Sequence, residues 1–437
     1  MNKLLYRIIF NKSRGMLMVV ADIARSGQGG GGRSSRPGTL LPHQWARLSP
    51  LGFALLTALG CVSVVAPAQA GIVADAGAPA NQQPVIINTA NGVPQVNIQT
   101  PSAGGVSRNT YSQFDVDGKG AILNNSRERI QTQQGGWVER NPYLAQGEAK
   151  VILNEVNSSN PSRLGGYVEV AGTRAQVIIA NPAGITCDGC GFINANRATL
   201  TTGRAQMQDG NLTGYDVRQG EIIIQGGGLD SRTQDYTDII ARSVKVNAGI
   251  WANDLRVTTG SNQVSAAHDN IQATRDGSAS PQLALDASQL GGMYAGKIRL
   301  IGTEKGVGVR NAGNIGASAG SVTLTADGRI ENSGTINASQ DIQLTSRQDI
   351  SNQGKVYASG ETSVTAGGQL GNSGVIAAAS HTRIKGGTIN NSQSGAIAGG
   401  NECRRHIVWQ RHANARRRWQ PDGQRQTPGG RSTDCDR

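Results

Sequence analysis

Residues 332–350 read NSGTINASQDIQLTSRQDI, and residues 352–370, NQGKVYASGETSVTAGGQL, repeat the same pattern. Each stretch opens on Asn-x-Gly, continues with an aliphatic residue and an Ala-Ser pair, and then passes through a short run in which apolar and polar residues alternate. The opening residue recurs at spacings of 21, 20 and 20 in Asn311, Asn332, Asn352 and Asn372, and a looser copy starts at Asn391. A repeat of about twenty residues therefore builds this part of the chain.

This repeat predicts a solenoid of short strands. Strict alternation is typical of a strand with one buried face, and Asn and Gly tolerate the left-handed backbone of tight turns. A strand-and-turn unit that recurs at a fixed period, without a helical stretch, predicts a parallel β-helix in which stacked coils align like residues. We expect the Asn residues to form a ladder and the Ile and Val residues to fill a narrow interior.

The composition fits such a thin, repeated core. The chain has 437 residues, of which 60 are Gly and only 4 % are aromatic. No apolar run reaches the roughly 18–20 residues of a membrane-spanning helix, and the Gly residues lack the period of collagen. A disordered Gly-, Ser- and Asn-rich linker is the alternative, and the aligned Ile and Val positions argue against it.

The formal net charge of +12 belongs to the two ends of the chain. Residues 1–70 contain eight basic side chains and one acidic side chain, and residues 401–437 contain nine Arg and four acidic side chains. Residues 71–400 are formally neutral. A net positive charge would otherwise suggest nucleic acid as a partner, but this distribution predicts none.

The basic N-terminal end has the features of an export signal. Leu51–Val65 is a 15-residue apolar stretch, and Ala68-Gln-Ala70 follows it as a small-residue cleavage pattern. We expect cleavage between Ala70 and Gly71. A transmembrane anchor would need a longer run, and lipoprotein processing at Cys61 fits poorly because apolar sequence continues beyond it.

Two Asn-Pro motifs stand out in residues 71–310, where the strand candidates are less regular. They are Asn141-Pro142-Tyr143-Leu144 and Asn181-Pro182-Ala183-Gly184-Ile185. Asn-Pro initiates a turn by local physics alone, so two tight corners are the simplest interpretation. We interpret residues 71–310 as the self-capped N-terminal portion of the same solenoid, because terminal repeats must close an exposed end.

With their neighbours, these motifs resemble the secretion domain of two-partner-secretion exoproteins (TpsA), the filamentous haemagglutinin and CdiA-like family. The other segments that carry the resemblance are Tyr111–Asp117, Ile122–Asn125, Ile152–Val156 and, for the extended signal peptide of this family, Met1–Asn11 and Met18–Asp22. The family motifs are NPNL and NPNGI, so Tyr143 and Ala183 depart from them at the third position. The Gly-rich segment Ser26–Arg36 departs from the usual signal pattern.

The resemblance implies a fold, a route and a set of site residues. It implies an all-β chain, folded as a right-handed parallel β-helix with an N-terminal capped secretion domain. It implies export by the Sec machinery through the periplasm, then passage through a TpsB-type outer-membrane transporter to the outside or surface of a Gram-negative bacterium. It assigns secretion competence to Asn141, Pro142, Tyr143, Leu144, Asn181, Pro182, Ala183, Gly184 and Ile185.

Cys187-Asp-Gly-Cys190 is the cysteine motif of the body. A zinc site needs two further ligands, and no second Cys or His pair lies nearby in the sequence. A thioredoxin-like redox site needs a strand–helix–strand context, which the sequence does not offer. A local disulfide, formed in an oxidising compartment, is the favoured interpretation.

We expect no cofactor, no metal and no catalytic constellation. Gly291–Lys297 meets most of a phosphate-loop pattern but lacks the Ser or Thr that should follow the Lys. His268 and His381 have no nucleophile or carboxylate arranged around them in the sequence.

At Asn401 the repeat stops within a unit, and an Arg-rich tail follows. We expect residues 401–437 to be out-of-frame translation at the end of a fragment of a longer protein, with a basic arm for nucleic acid or membrane as the alternative. The resulting layout is an extended signal peptide (1–70), a secretion domain (71–310), β-helix repeats (311–400) and an aberrant tail (401–437).

The leading hypothesis is the non-enzymatic secretion and shaft portion of a large adhesin or haemagglutinin, which in full length binds a receptor on a host or neighbouring cell. Within the same family, the alternative is the N-terminal part of a contact-dependent growth inhibition toxin. From another class, a β-helical polysaccharide-degrading enzyme would need clustered carboxylates on adjacent coils. The repeats offer isolated ones, Asp327, Asp341 and Asp349.

Overall fold

The computed structural model describes residues 6–11, 16–21, 71–274, 278–400 and 407–411. The chain divides into two compact units, Met1–Pro67 and Ala68–Arg437. In the first unit, Tyr6–Asn11 and Met16–Ala21 form an antiparallel hairpin. The apolar stretch of the predicted signal and its cleavage residue Ala70 lie outside the described residues, and Gly71 is the first described residue of the second unit.

The second unit is a parallel β-helix whose coils each contribute strands to three ladders. In the regular repeats two strands meet at the Asn-x-Gly corner and belong to ladders 1 and 2, and the next strand belongs to ladder 3. Ladder 1 contains Ser162–Leu164, Ile185–Ile193, Glu221–Ser231, Ser243–Val246, Leu283–Ala287, Gly308–Asn311, Ile330–Asn332, Ile350–Asn352, Gln369–Asn372 and Thr388–Asn391.

Ladder 2 contains Pro94–Asn97, Ala121–Asn125, Tyr167–Gly172, Gly249–Ala252, Gly292–Ala295, Asn314–Ala317, Thr335–Ala338, Lys355–Ala358, Val375–Ala378 and Ala396–Gly399. The long strands Ile185–Ile193 and Glu221–Ser231 bend at a bulge and serve ladders 1 and 2 in turn. Ladder 3 contains Val106–Phe114, Val151–Val156, Ala175–Ala180, Ala195–Thr201, Tyr236–Ala241, Asp254–Thr259, Lys297–Gly302, Val322–Ala326, Ile342–Ser346, Thr362–Ala366, Thr382–Gly386 and Ile407–Arg411.

Register follows the sequence repeat. Ile330 pairs with Ile350, and Ile350 pairs with Leu370, so equivalent aliphatic residues stack along the axis. The buried positions of the ladders merge into one hydrophobic core that runs from Ile72 to Ile384. The prediction of an all-β parallel β-helix with a narrow aliphatic interior is confirmed.

The predicted Asn ladder is present along the corner between ladders 1 and 2. Each amide nitrogen donates to the side-chain oxygen of the Asn in the next coil, from Asn311 to Asn332 at 2.8 Å, from Asn332 to Asn352 at 2.7 Å and from Asn352 to Asn372 at 2.8 Å. The bond from Asn372 to Asn391 continues the row at 2.7 Å. The first four members of the row are almost fully buried. The ladder satisfies their amide nitrogens and the side-chain oxygens of Asn332, Asn352 and Asn372, which would otherwise be costly to bury.

Antiparallel strands close the N-terminal end. Ile72–Ala74 pairs with the first strand of ladder 3, and Val85–Asn88 pairs with Pro94–Asn97. A small hairpin, Ile130–Thr132 with Gly136–Val138, also lies in this region. The helices of the described residues are the 3-10 turns Ala80–Gln82 and Pro142–Leu144, and neither could cross a membrane.

A four-stranded antiparallel sheet, which we call the covering sheet, was missed by the sequence reasoning. Its strands are Arg204–Gln208, Asn211–Val217, Asn262–Ser265 and Ile271–Ala273. It packs Tyr215, Val217 and Val264 against the outer face of ladder 3. The local signal is Asp209-Gly210, whose positive φ angles of 50° and 75° fit a two-residue hairpin turn.

The strand Ile407–Arg411 pairs in parallel with Thr382–Gly386 and so adds a rung to ladder 3 within the segment expected to be aberrant. The rest of that segment, residues 401–406 and 412–437, lies outside the described residues.

Replacing Asn352 by Ala should destabilise the β-helix, because it leaves the buried amide of Asn332 and the buried carbonyl of Asn372 without their ladder partners. Each orphaned group costs about 1–3 kcal/mol, so the midpoint of chemical denaturation should fall clearly. The matched control is Asn337→Ala on the neighbouring strand, where the side chain is exposed. Equal shifts for both variants would contradict a structural role for the ladder.

Candidate functional site

The first Asn-Pro motif forms a capped 3-10 turn. The Oδ1 of Asn141 accepts a hydrogen bond from the backbone N–H of Tyr143 at 3.0 Å, and Pro142 occupies the first position of the turn. The Nδ2 of Asn141 donates to the carbonyls of Ile98 and Asn124, at 2.9 and 2.8 Å. Asn141 is nearly fully buried, and its side chain joins the turn to two earlier segments of the chain.

The second motif repeats this arrangement at another corner. The Oδ1 of Asn181 accepts from the backbone N–H of Ala183 at 2.9 Å. Its Nδ2 donates to the carbonyl of Asn160 at 2.9 Å and to the hydroxyl of Ser162 at 3.0 Å. Gly184 follows with a φ of 121°, and a Cβ there would lie 3.0 Å from the carbonyl oxygen of Glu221. The turn therefore needs Gly at this position.

The third residue of each motif contributes only its backbone to these turns. The N–H of Tyr143 and the N–H of Ala183 supply the donors, and both side chains are partly exposed. The departures from the family pattern at these positions therefore leave the hydrogen bonds of both turns intact. The buried apolar residues of the two motifs are Leu144 and Ile185, which anchor the turns to the core. The two corners have no hydrogen-bond partner in common among the described residues.

The segments Tyr111–Asp117 and Ile152–Val156 meet in ladder 3. The hydroxyl of the fully buried Tyr111 donates to the Oδ1 of Asn154 at 2.9 Å, and burial raises the pKa of Tyr111 well above its ordinary value. The Nδ2 of Asn154 donates onward to the carbonyl of Ile178 at 3.1 Å. Tyr111 also packs edge-to-face on Phe114, with ring centroids 4.9 Å apart. These contacts hold three successive coils together beside the motifs.

The structure joins Cys187 and Cys190 by a disulfide, with Cα atoms 5.4 Å apart. Both sulfurs are buried in the bulge where the strand Ile185–Ile193 passes from ladder 1 to ladder 2. Gly189 has a φ of 81°, which allows the tight turn between them. The bond lies two residues after the Asn181 turn and braces the next corner.

A buried polar chain on the outer face of ladder 3 was not visible in the sequence. The Nδ1 of His268 lies 2.7 Å from Oδ1 of Asp238, and its Nε2 lies 2.6 Å from the hydroxyl of Thr258. Arg197 pairs with the other oxygen of Asp238. Burial alone would raise the pKa of Asp238, but the hydrogen bond from His268 and the charge of Arg197 hold it below its ordinary value.

The order hydroxyl, imidazole, carboxylate is that of a nucleophilic triad, but burial decides its role here. Thr258, His268 and Asp238 are each at most 1 % exposed, so no substrate reaches them. His268 lies in the turn between two strands of the covering sheet and fastens it to ladder 3. Among the described residues, no group of three His, Cys, Asp or Glu side chains is arranged to hold a metal ion.

Three family models match this sequence. The TPS secretion domain matches residues 70–332, which is more than half of the chain. The Extended Signal Peptide of Type V secretion system matches residues 1–51, and the Haemagglutinin repeat matches residues 317–374 and 357–402.

Curated relatives and a solved structure agree with these models. The chain is 66 % identical over 347 residues to "Toxin CdiA" of Yersinia pestis, covering 79 % of this chain and 10 % of that protein. It is 47 % identical over 346 residues to "tRNA nuclease CdiA-2" of Burkholderia pseudomallei, covering 78 % and 11 %. It therefore spans about a tenth of the length of these relatives.

The crystal structure of the filamentous hemagglutinin secretion domain superposes with a TM-score of 0.58 at 33 % identity, covering 69 % of this chain and 98 % of that one. That domain is about as long as the part of the chain it matches. The secretion-domain, signal and repeat matches show that the chain belongs to the TPS secretion-domain exoproteins, the filamentous haemagglutinin and CdiA family. It corresponds to their N-terminal region.

Proposed function

We propose that this chain is the N-terminal secretion and shaft portion of a CdiA-like contact-dependent growth inhibition toxin. The observation that carries the proposal is the 66 % identity to a toxin CdiA over 79 % of the chain. Other relatives are named as a tRNA nuclease and a 16S rRNA endonuclease. Because the match covers about a tenth of these relatives, we assign toxicity to sequence beyond it and no catalysis to residues 71–400.

The secreted adhesin or haemagglutinin remains the second candidate, since the secretion domain of filamentous hemagglutinin shares the fold. The identities to CdiA proteins favour the toxin over the adhesin. The sequence alone favours the adhesin as the leading hypothesis. In both cases we propose residues 1–70 as signal, 71–310 as secretion domain and 311–400 as shaft, exported by Sec and then by a TpsB-type transporter. A receptor on the target cell belongs to the full-length protein.

A competition assay separates the two candidates. A strain carrying the complete gene, its neighbouring transporter gene and any immunity gene is mixed with a sibling strain that lacks all three. We expect the sibling to lose viability only when cells touch, and to be protected when the transporter gene is deleted from the attacker. Normal sibling growth combined with transporter-dependent adherence to host cells would support the adhesin instead.

For the two Asn-Pro corners, we propose a role in secretion through folding of the emerging chain. Each buried Asn amide binds groups that precede it in the sequence, Ile98 and Asn124 for Asn141, and Asn160 and Ser162 for Asn181. A chain that leaves the transporter N-terminus first therefore finds these partners already outside. Nearest-neighbour coil contacts make such directional folding possible.

Asn181→Ala should leave export to the periplasm unchanged and reduce release across the outer membrane several-fold. The substitution removes the acceptor of the turn and the hydrogen bonds to the carbonyl of Asn160 and the hydroxyl of Ser162. The Ser162 hydroxyl is buried, and leaving such a group unpaired costs about 1–3 kcal/mol. Immunoblots of periplasmic and extracellular fractions, in cells that express the cognate transporter, measure the effect.

Ala183→Asn is the matched control, because the third position supplies only a backbone N–H and its side chain is partly exposed. We expect it to be secreted at the level of the parent protein. Equal extracellular amounts of the Asn181→Ala and parent proteins would rule out this role for the corner.

The Cys187–Cys190 bond should be present in the secreted protein. Alkylation under denaturing conditions, followed by mass spectrometry of the peptide that contains both residues, should label neither sulfur before reduction and both after it. A small loop gives a disulfide only a modest entropic effect, so the Cys187→Ser, Cys190→Ser double variant should still be secreted. Labelling of both residues without a reductant would disprove the bond.

A further inference from the structure

Three aromatic side chains share the outward face of ladder 2. Trp251 pairs in register with Tyr294, Tyr294 with Gly316, Gly316 with Asn337, and Asn337 with Tyr357. Trp251, Tyr294 and Tyr357 are 36 %, 41 % and 46 % exposed. In a chain with 4 % aromatic residues, such a column is a feature that the β-helix core does not require.

Two of these rings each lie flat over one glycine of their own strand. A Cβ on Gly249 would come within 2.5 Å of the Trp251 ring, and a Cβ on Gly292 would come within 2.6 Å of the Tyr294 ring. The two rings are nearly parallel, with 19° between their planes and centroids 6.5 Å apart. Because each ring covers the glycine of its own strand, the two form one platform with its outer face in solvent.

Beyond the platform the surface dips. Gly316 has no side chain, and the Asn337 side chain reaches over it, with Oδ1 2.7 Å from where a Cβ would lie. Tyr357 lies on the far side of Asn337, and these residues line a groove of about 730 Å³. Three rung spacings of about 4.8 Å separate Tyr294 from Tyr357, or roughly 14 Å in all. The polar groups along the groove are amides and hydroxyls, supplied by Asn253, Asn337, Ser318, Ser339 and Ser359.

The groove carries almost no net charge. Among its described lining residues, Arg232 is the charged one, and Asp230 neutralises it through two hydrogen bonds of 2.9 and 2.7 Å. A ligand that carries a strong charge therefore finds no counter-charge here. A nucleic acid or an acidic polysaccharide fits this groove poorly.

We propose that this groove binds an uncharged linear glycan. The apolar C–H faces of sugar rings pack on flat aromatic rings, and their hydroxyls bond to amides and hydroxyls of the kind found here. The glycan runs along ladder 2, with sugar rings on the Trp251–Tyr294 platform and against Tyr357, and the gap at Gly316 admits the chain between them. The site binds without catalysis.

Titration of the purified full chain with cellohexaose, maltohexaose and chitohexaose, followed by Trp fluorescence and ligand-observed NMR, tests the proposal. At least one of the three should bind. Trp251→Ala and Tyr357→Ala should each weaken that binding roughly three- to tenfold, the worth of one aromatic stacking contact. Gly316→Leu should abolish it by filling the groove.

Two variants serve as matched controls. Trp137 is 59 % exposed and lies elsewhere, so Trp137→Ala should bind like the parent. Gly371 has open space where a Cβ would lie, so Gly371→Leu adds the same bulk to ladder 1 without effect. Circular dichroism of each variant confirms that it is folded.

Failure of all three glycans to bind at millimolar concentration would overturn the proposal, as would equal binding by the parent and Gly316→Leu proteins. Sedimentation gives a further check, because a dimer that Trp251→Ala dissociates would instead make the groove a contact between two copies of the chain. None of these outcomes depends on whether the protein is a toxin or an adhesin.

Discussion

Parallel stacking in register is the constraint on which the body of this protein depends. Each strand bonds to the equivalent strand one coil later, so every position along a coil must suit the copies of itself above and below. Aliphatic positions become continuous rows, as from Ile330 through Ile350 to Leu370. At the corner of the regular repeats, the buried polar position is satisfied by the equivalent residue of the next coil. Asn can do this because its amide carries both a donor and an acceptor.

The same constraint explains how much of the fold could be predicted. A period of twenty residues with aligned Ile, Val and Asn positions specifies the ladders, the core and the Asn row, because all three follow from local pattern and nearest-neighbour stacking. The covering sheet does not follow from it. Its strands Asn211–Val217 and Asn262–Ser265 pair across a long sequence separation, and only the turn at Asp209-Gly210 leaves a local trace.

The positions of the two Asn-Pro corners could be predicted from the sequence, whereas their hydrogen-bond partners could not. Asn-Pro marks a turn in any sequence, but the two groups that each Asn amide binds come from segments 17 to 43 residues earlier. The sequence alone therefore predicts where the corners lie but not which groups their side chains bind. The chain from Asp238 through His268 to Thr258 was missed altogether, because its members are brought together only when a hairpin folds over ladder 3.

The Asn ladder has a direction. Each bond of the row runs from the amide nitrogen of one coil to the side-chain oxygen of the next, so the side-chain dipoles all point the same way along the axis. A coil that has just formed thus presents a free amide donor to whatever follows. Any twenty-residue unit with Asn at that position can accept it, whatever its exposed residues are. Such a shaft can lengthen by duplication of single units, with each new coil docking on the same unmet hydrogen bond.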